Sequence, residues 1–368
     1  MSRVVVVLLL LPMLACAPAD QPTPSPGPVP ADPPPTGQAT PLETPTTTAD
    51  RVQLTLMTHE SFAVSDEVLA TLEREEGITL RILRSGDAGV MVNQAILAGD
   101  APLADILFGV DNTFLSRALE AGIFEAYGSP RLEHVPAALQ LDEDQRVTPI
   151  DYGDVCLNYD RAAFNEDLPP PAGLDDLTDE RYRGMLVVPN PATSSPGLAF
   201  LLATVIEHGE GWRDYWAALV ANDVLVTSGW SEAYYSHFSA SGEGDRPIVL
   251  SYATSPAAEV LFAEEQLEEP PTGVVTAGCF RQVEFAGILR GTEHRDAAER
   301  AIDFMLGRTF QEDVPLNMFV FPANAEAELP EVFVEHAARI DEPLSMDPAE
   351  IDARREQLIE EWTDVVLR

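Results

Sequence analysis

Several short stretches of this chain combine small hydroxyl residues, glycines and aromatics in a way that could hold a small molecule. Thr193-Ser194-Ser195-Pro196-Gly197 stands directly before an apolar run. A Ser-Pro pair entering a helix presents free backbone N–H groups and hydroxyls, which suits a phosphate or another oxyanion, and Ser194 and Ser195 are the candidates. Ser228-Gly229-Trp230-Ser231-Glu232-Ala233-Tyr234 and Ser251-Tyr252-Ala253-Thr254-Ser255-Pro256 contribute Trp230, Tyr234 and Tyr252. Their flat faces and polar tips suit a ring or an organic cation. Nearer the start, Thr58 to Phe62 holds His59 and Ser61, Ser85 to Gly89 holds Asp87 and Gly89, and Gly109 to Asn112 holds Asp111. The histidines are scattered and no metal-ligand spacing stands out, so no metal site and no cofactor are expected.

These stretches matter because of the elements that must carry them. From Val52 the chain alternates strands and helices. Val52 to Met57, Ile78 to Leu83 and Leu103 to Phe108 read as strands. Between them lie a helix over Asp66 to Glu76, capped by Ser65 and stopped by Gly77, and another over Val90 to Leu97. The pattern restarts after Pro149, with strands at Met185 to Val188, Val224 to Val226 and Ile248 to Leu250 and a helix over Gly197 to His208. Alternation of this kind implies parallel pairing with helices on both faces. Ligands of such sheets bind beyond the C-terminal ends of the strands, which is where the stretches above fall. Two α/β lobes follow: 51–150, then 151–280, then a return to the first lobe over 281–325. Residues 326–368 form a C-terminal helical extension, with Ile351, Leu358, Ile359, Trp362 and Val366 spaced to pack on a lobe.

The N-terminus bears on compartment. Arg3 precedes the apolar run Val4 to Leu11, too short for a permanent membrane span, and Pro12-Met13-Leu14-Ala15-Cys16 follows. The Leu-Ala-Cys ending resembles a bacterial lipobox, implying a signal peptide over 1–15, cleavage before Cys16 and its lipidation. Multiple acyl chains anchor stably where one would not. Residues 16–50, rich in Pro, Thr and Ala, read as a disordered tether able to reach roughly 100 Å at about 3.1 Å per residue. The expected location is therefore extracytoplasmic, on the outer face of the cell membrane, with contact to the membrane through the anchor alone. In such an oxidising compartment Cys156 and Cys279 suggest a disulfide. The formal net charge of −39, from 61 acidic and 22 basic residues, excludes a nucleic-acid partner, which needs a basic surface. Every basic residue is Arg.

Asp151-Tyr152-Gly153, Thr193 to Leu198, Gly229-Trp230-Ser231-Glu232-Ala233-Tyr234 and Leu250 to Pro256 resemble the thiamine-binding periplasmic proteins of bacterial ABC importers. Thr58 to Phe62, Gly109 to Asn112, Gln282-Val283-Glu284, Phe321-Pro322-Ala323-Asn324 and Glu360-Glu361-Trp362 fit the same pattern in the same order. The resemblance runs from about Leu54 to the C-terminus. It implies the two-lobed type-2 periplasmic binding protein fold, an α/β architecture of parallel-rich sheets flanked by helices, with the ligand cleft between lobes. It further implies a monomer that captures thiamine or a thiamine phosphate by hinge closure, delivers it to an ABC permease, and is no enzyme. Ser194 and Trp230 would then meet the phosphate or hydroxyethyl end, and Tyr252 would line the ring pocket. The chain departs from the pattern at His59, where a Tyr is usual, at Phe319, where a Trp is usual, and at Ala258, where a Tyr is usual. Phe319 remains available to stack on the ligand. Two alternatives stand beside this reading: another solute, such as a phosphonate, a polyamine or ferric iron, and a thiamine-processing enzyme using Cys156 as nucleophile with Glu284 as base.

Overall fold

The computed structural model describes residues 51–368, apart from 242, 243, 264, 266 and 268. The signal peptide, Cys16 and the tether lie outside the described residues.

The first half alternates as expected. Strand β1 (Val52–Thr58), helix α1 (Asp66–Glu76), β2 (Ile78–Arg84), α2 (Ala88–Ala98), β3 (Ile106–Asp111), α3 (Leu115–Glu120) and the short β4 (Phe124–Glu125) follow in order. Ser65 caps α1 by accepting the Val68 N–H at 3.3 Å, and Gly77 ends it in the left-handed region at φ 68°. Strand β3 starts three residues later than its apolar run suggests. Leu103 is exposed, and Asp105 turns inward to accept the Thr55 N–H at 2.7 Å. The strand therefore continues through Gly109 to Asp111, and the expected loop there is part of the sheet.

The chain then leaves the first half on β5 (Thr148–Asp160). The second half holds β6 (Leu186–Pro189), α4 (Ser195–His208), α5 (Trp212–Ala221) and β7 (Leu225–Thr227). A short helical turn α6 (Trp230–Glu232) runs on into a wider turn over Ala233–His237, before β8 (Ile248–Tyr252) and α7 (Ser255–Phe262). Strand β9 (Thr272–Leu289) returns, followed by α8 (Arg295–Met305), α9 (Arg308–Gln311), α10 (Val314–Asn317), β10 (Phe321–Pro322), α11 (Glu331–His336) and α12 (Pro348–Val366).

All ten strands join one sheet in the order β2-β1-β3-β9-β5-β8-β6-β7, with β4 on β9 and β10 on β5. Within each half the pairing is parallel: β1 with β2 and β3, and β6 with β7 and β8. The long strands β5 and β9 are antiparallel to each other and to their neighbours. The reason is topological. One strand carries the chain out of the first half and the other carries it back, so they must run in opposite directions. The lobe boundaries expected at 150/151 and 280/281 fall inside these two strands.

Cys156 on β5 and Cys279 on β9 are joined by a disulfide between the two crossing strands. Helix α12 packs on both halves rather than on one. Trp362 meets Trp216 of α5 edge to face at 5.5 Å, while Glu356 pairs with Arg117 of α3 at 3.6 Å and Arg355 lies over Phe114 at 5.5 Å. Both tryptophans are fully buried.

Candidate ligand-binding cleft

A cavity of about 580 Å³ opens between the halves, inside the roughly 300–1,000 Å³ typical of small-molecule sites. One wall is aromatic. Trp230 stacks on Tyr234 with ring centres 5.1 Å apart, Tyr235 meets Trp230 edge-on at 5.6 Å, and Tyr252 stands at 6.3 Å. Hydrogen bonds fix these rings. Trp230 Nε1 donates to Ser251 Oγ at 3.0 Å, Tyr252 Oη donates to Gln282 Oε1 at 3.2 Å, and Tyr234 Oη donates to Glu259 Oε1 at 2.6 Å. Burial, aided by Glu259, pushes the Tyr234 phenol up, and burial, aided by Glu284, does the same to Tyr252, so both stay protonated.

Three helix N-termini also reach the cavity. Ala88, Ser195 with Pro196, and Ser255 begin α2, α4 and α7, and all line the cavity. The Ser194 and Ser195 hydroxyls are buried, and among the described residues neither makes a hydrogen bond of good geometry, although Asp87 stands near the first and Asp111 near the second. Ser195, which reaches the cavity at the head of a 14-residue helix, is the hydroxyl that a bound oxyanion would satisfy.

The halves touch across the cleft. Asp87 caps α2 by accepting the Ala88 N–H at 2.7 Å, and its other oxygen accepts the Trp230 N–H at 3.0 Å. Gly89 N–H donates to Thr193 O at 3.0 Å, and Ser61 Oγ lies 3.2 Å from Ser231 Oγ. At the rim Phe319 meets Phe262 edge-on at 5.2 Å. Phe319 adopts φ 57°, a left-handed conformation unusual for an aromatic residue, and strain of this kind concentrates at ligand clamps.

Of the residues singled out in the sequence, the structure brings His59, Ser61, Asp87, Ser195, Trp230, Tyr234, Tyr252 and Phe319 to the cavity. Gly89, Asp111 and Ser194 stand behind its lining. A Cβ on Gly89 would lie 2.8 Å from both Phe114 and Thr193 O, so glycine there serves close packing, and its N–H is already bonded. Asp111 ends β3 fully buried, where Thr113 N–H and hydroxyl both bond its Oδ1. His59 packs on Gly109, where a Cβ would come within 2.3 Å of its ring. His59 Nε2 lies 3.4 Å from Glu284 Oε1. Burial alone would lower the imidazole pKa, but Glu284, with Asp87 and Asp111 further off, raises it above the usual histidine value. Cys156 is buried in its disulfide and does not line the cavity, so it is not placed as a nucleophile.

Gln282, Glu284, Glu259, Tyr235 and Phe262 line the cavity without having been singled out as binding residues. A signal for the first two is legible. Gln282 and Glu284 alternate with Val283 and Phe285, so one face of an otherwise apolar strand is polar. Phe262 sits one helical turn beyond Ala258 on α7, so an aromatic absent at 258 is supplied four residues later on the same face.

Two parallel-rich lobes joined by a pair of crossing strands, with helix N-termini lining the cleft between them, define a two-lobed type-2 periplasmic binding protein. Residues 101–340 match the family model for bacterial extracellular solute-binding protein, and the chain belongs to that family. It is 31% identical to the thiamine-binding periplasmic protein of Escherichia coli (strain K12) over 320 residues, 86% of this chain and 94% of that one. Identity to the thiamine-binding periplasmic protein of Salmonella typhimurium is 30% with the same coverage. Among solved structures, a periplasmic thiamin binding protein superposes with a TM-score of 0.77 at 28% identity, covering 86% of this chain and 96% of that one. Membership in this family gives the chain a solute-binding role and an extracytoplasmic location.

Proposed function

We propose that this protein captures thiamine or a thiamine phosphate outside the cytoplasm and delivers it to an ABC permease, held at the membrane by a lipid on Cys16. The observation that supports it most is the pairing of surfaces within one cavity. The Trp230–Tyr234–Tyr252 wall offers faces for a ring, and the Ser195 hydroxyl at the head of α4, with Ser194 just behind it, offers an oxyanion site. A molecule with an aromatic cation at one end and a hydroxyl or phosphate at the other uses both. The Escherichia coli and Salmonella typhimurium relatives carry thiamine binding in their names. Ligand-induced closure pivots on β5 and β9, and the Asp87–Trp230, Gly89–Thr193 and Ser61–Ser231 contacts are those that closure forms.

The test is a calorimetric and thermal-shift panel on the purified protein. Thiamine, its mono- and diphosphate, a phosphonate, a polyamine and ferric citrate are compared. A thiamine compound that binds and is recovered unaltered supports capture without chemistry. At a thousandfold excess over Kd it raises stability by roughly 4 kcal/mol. A shift with another solute and none with thiamine compounds refutes the ligand while leaving the family intact. Retention of the mature protein in the membrane fraction, lost in Cys16→Ser, tests the anchor.

A further inference from the structure

The floor of the cleft concentrates negative charge. In the ladder Asp111 on β3 stands opposite Glu284 on β9, and Glu284 stands opposite Asp151 on β5. Three carboxylates therefore lie abreast on three neighbouring strands, where directly opposed residues are in side-chain contact range. Asp111 is 0% exposed, Asp151 1% and Glu284 9%. Among the described residues, neither oxygen of Asp151 has a hydrogen-bond partner, nor does Asp111 Oδ2, although all are buried.

Among the described residues, the charged and titratable groups facing this cluster are few. From the turn after β1 comes His59, 3.4 Å from Glu284. From the start of α2 comes Asp87, already holding two backbone N–H groups. From β8 comes Tyr252, whose hydroxyl donates to Gln282. The nearest arginine on β9, Arg281, is held by Asp154 at 3.0 Å. Among the described residues, one imidazole thus faces four carboxyl groups. Buried like charges this close cannot all ionise, and they keep a proton between them or meet a cation. Of the three abreast, only Glu284 reaches the cavity. Burial pushes Asp111 up to about 6 and, together with Glu284, raises Asp151 well above the usual carboxylate range.

We propose that Glu284 selects a permanently charged organic cation over its neutral analogue, and that the cation, seated above Glu284, displaces a proton which the empty protein keeps on the buried carboxyls beside it, Asp151 and Asp111. One positive charge enters, one proton leaves to the buffer, and the charge of the floor is conserved. No bond other than that to the proton is made or broken. The inference rests on the thiamine reading for the identity of the cation, which thiamine carries on its thiazolium ring.

Thiamine is titrated calorimetrically near pH 6.5 into the protein in buffers of different ionisation enthalpy, alongside its neutral thiophene analogue. The slope of observed enthalpy against buffer ionisation enthalpy counts the protons released. Expected is a release approaching one proton with thiamine, none with the neutral analogue, and tighter binding of thiamine by about tenfold or more. Asp151→Asn, one layer below the cavity, releases fewer protons. Glu284→Gln removes most of the preference for the cation. Thiamine binding with no buffer dependence, or equal affinity for the neutral analogue, overturns this inference and leaves the thiamine reading standing. Neither compound binding overturns the thiamine reading and this one with it. The wild-type arms require no variant to fold.

Discussion

Asp87 offers the sharpest test of how the cleft closes, because one carboxylate serves two helix N-termini on opposite sides of it. Its bond to Ala88 N–H caps α2 and belongs to the first lobe alone, while its bond to Trp230 N–H spans the cleft. Asp87→Ala removes both. Loss of the cap costs about 1 kcal/mol of stability in either state. Loss of the cross-cleft bond, a hydrogen bond to a charged acceptor worth about 1.5–3 kcal/mol, falls on the closed form only. Since ligand is held in that form, affinity should drop roughly ten- to hundredfold, chiefly through faster dissociation. Asp87→Asn keeps an equally good cap and a neutral acceptor, so its melting point should stay near that of the wild type while affinity falls about fivefold. Gly229→Ala attacks the same contact from the other side. A Cβ there would lie 2.9 Å from Asp87 Oδ2, and its backbone, at φ −164°, accepts any residue. Stopped-flow dissociation and calorimetry on the three variants read the outcome. If Asp87→Ala loses stability yet binds and releases ligand like the wild type, the cross-cleft bond is no part of closure and the reasoning fails.

Three further outcomes are expected. Asp151→Asn should raise the stability of the ligand-free protein by about 1–3 kcal/mol at pH 7.5. The sign follows from linkage: a carboxyl whose pKa is raised on folding destabilises above that pKa and not below the unfolded value, so urea midpoints of wild type and variant should converge as pH falls through 5 toward 4. Trp230→Ala should weaken ligand binding by about 2–4 kcal/mol, and Trp230→Phe, which keeps a ring but loses the bond to Ser251, by about 1 kcal/mol, both measurable by calorimetry. Replacing Cys156 and Cys279 by serine opens a cross-link between residues 123 apart in sequence, at a loss of about 2–5 kcal/mol by denaturant unfolding. Ligand affinity should change little, because neither cysteine lines the cavity; a large loss of affinity would show that the disulfide sets the geometry of the crossing strands.

What the sequence disclosed and what it withheld divide along a physical line. Strand–helix alternation made the two lobes legible, and the stretches at strand ends made the aromatic wall and the α4 N-terminus legible, because local periodicity and turn chemistry fix both. Asp111 was misplaced because a strand boundary is not set by its own apolar run. Strand β3 extends as far as β9 offers partners, and the bond from Val283 to Asn112 that follows their last pair spans 171 residues of chain. The second use of Asp87 was hidden for the same reason, since its partner Trp230 belongs to the other lobe. Glu284 was visible as a polar position on an apolar strand. Its neighbours Asp111 and Asp151 could be set beside it only once the order β3-β9-β5 was known.

That sheet order also explains why a cluster so unfavourable in an empty protein can be retained. Asp111, Glu284 and Asp151 lie at the junction of the first lobe with both crossing strands, beneath the place where a ligand must be gripped. Replacing such carboxylates with apolar residues of similar size would usually be neutral or stabilising for folding alone. Their presence at the floor of a cavity walled by Trp230, Tyr234 and Tyr252 is therefore better accounted for by binding than by folding. Stability withheld from the empty form is returned when a cation arrives. The difference between the two states then contributes to affinity for a cation and not for a neutral molecule of the same shape. A binding protein built this way should show its largest ligand-induced rise in melting point above pH 6, where the floor is most charged, and a smaller rise at pH 5, where protons already neutralise it. A rise independent of pH between 5 and 8 would assign the cluster to structure alone.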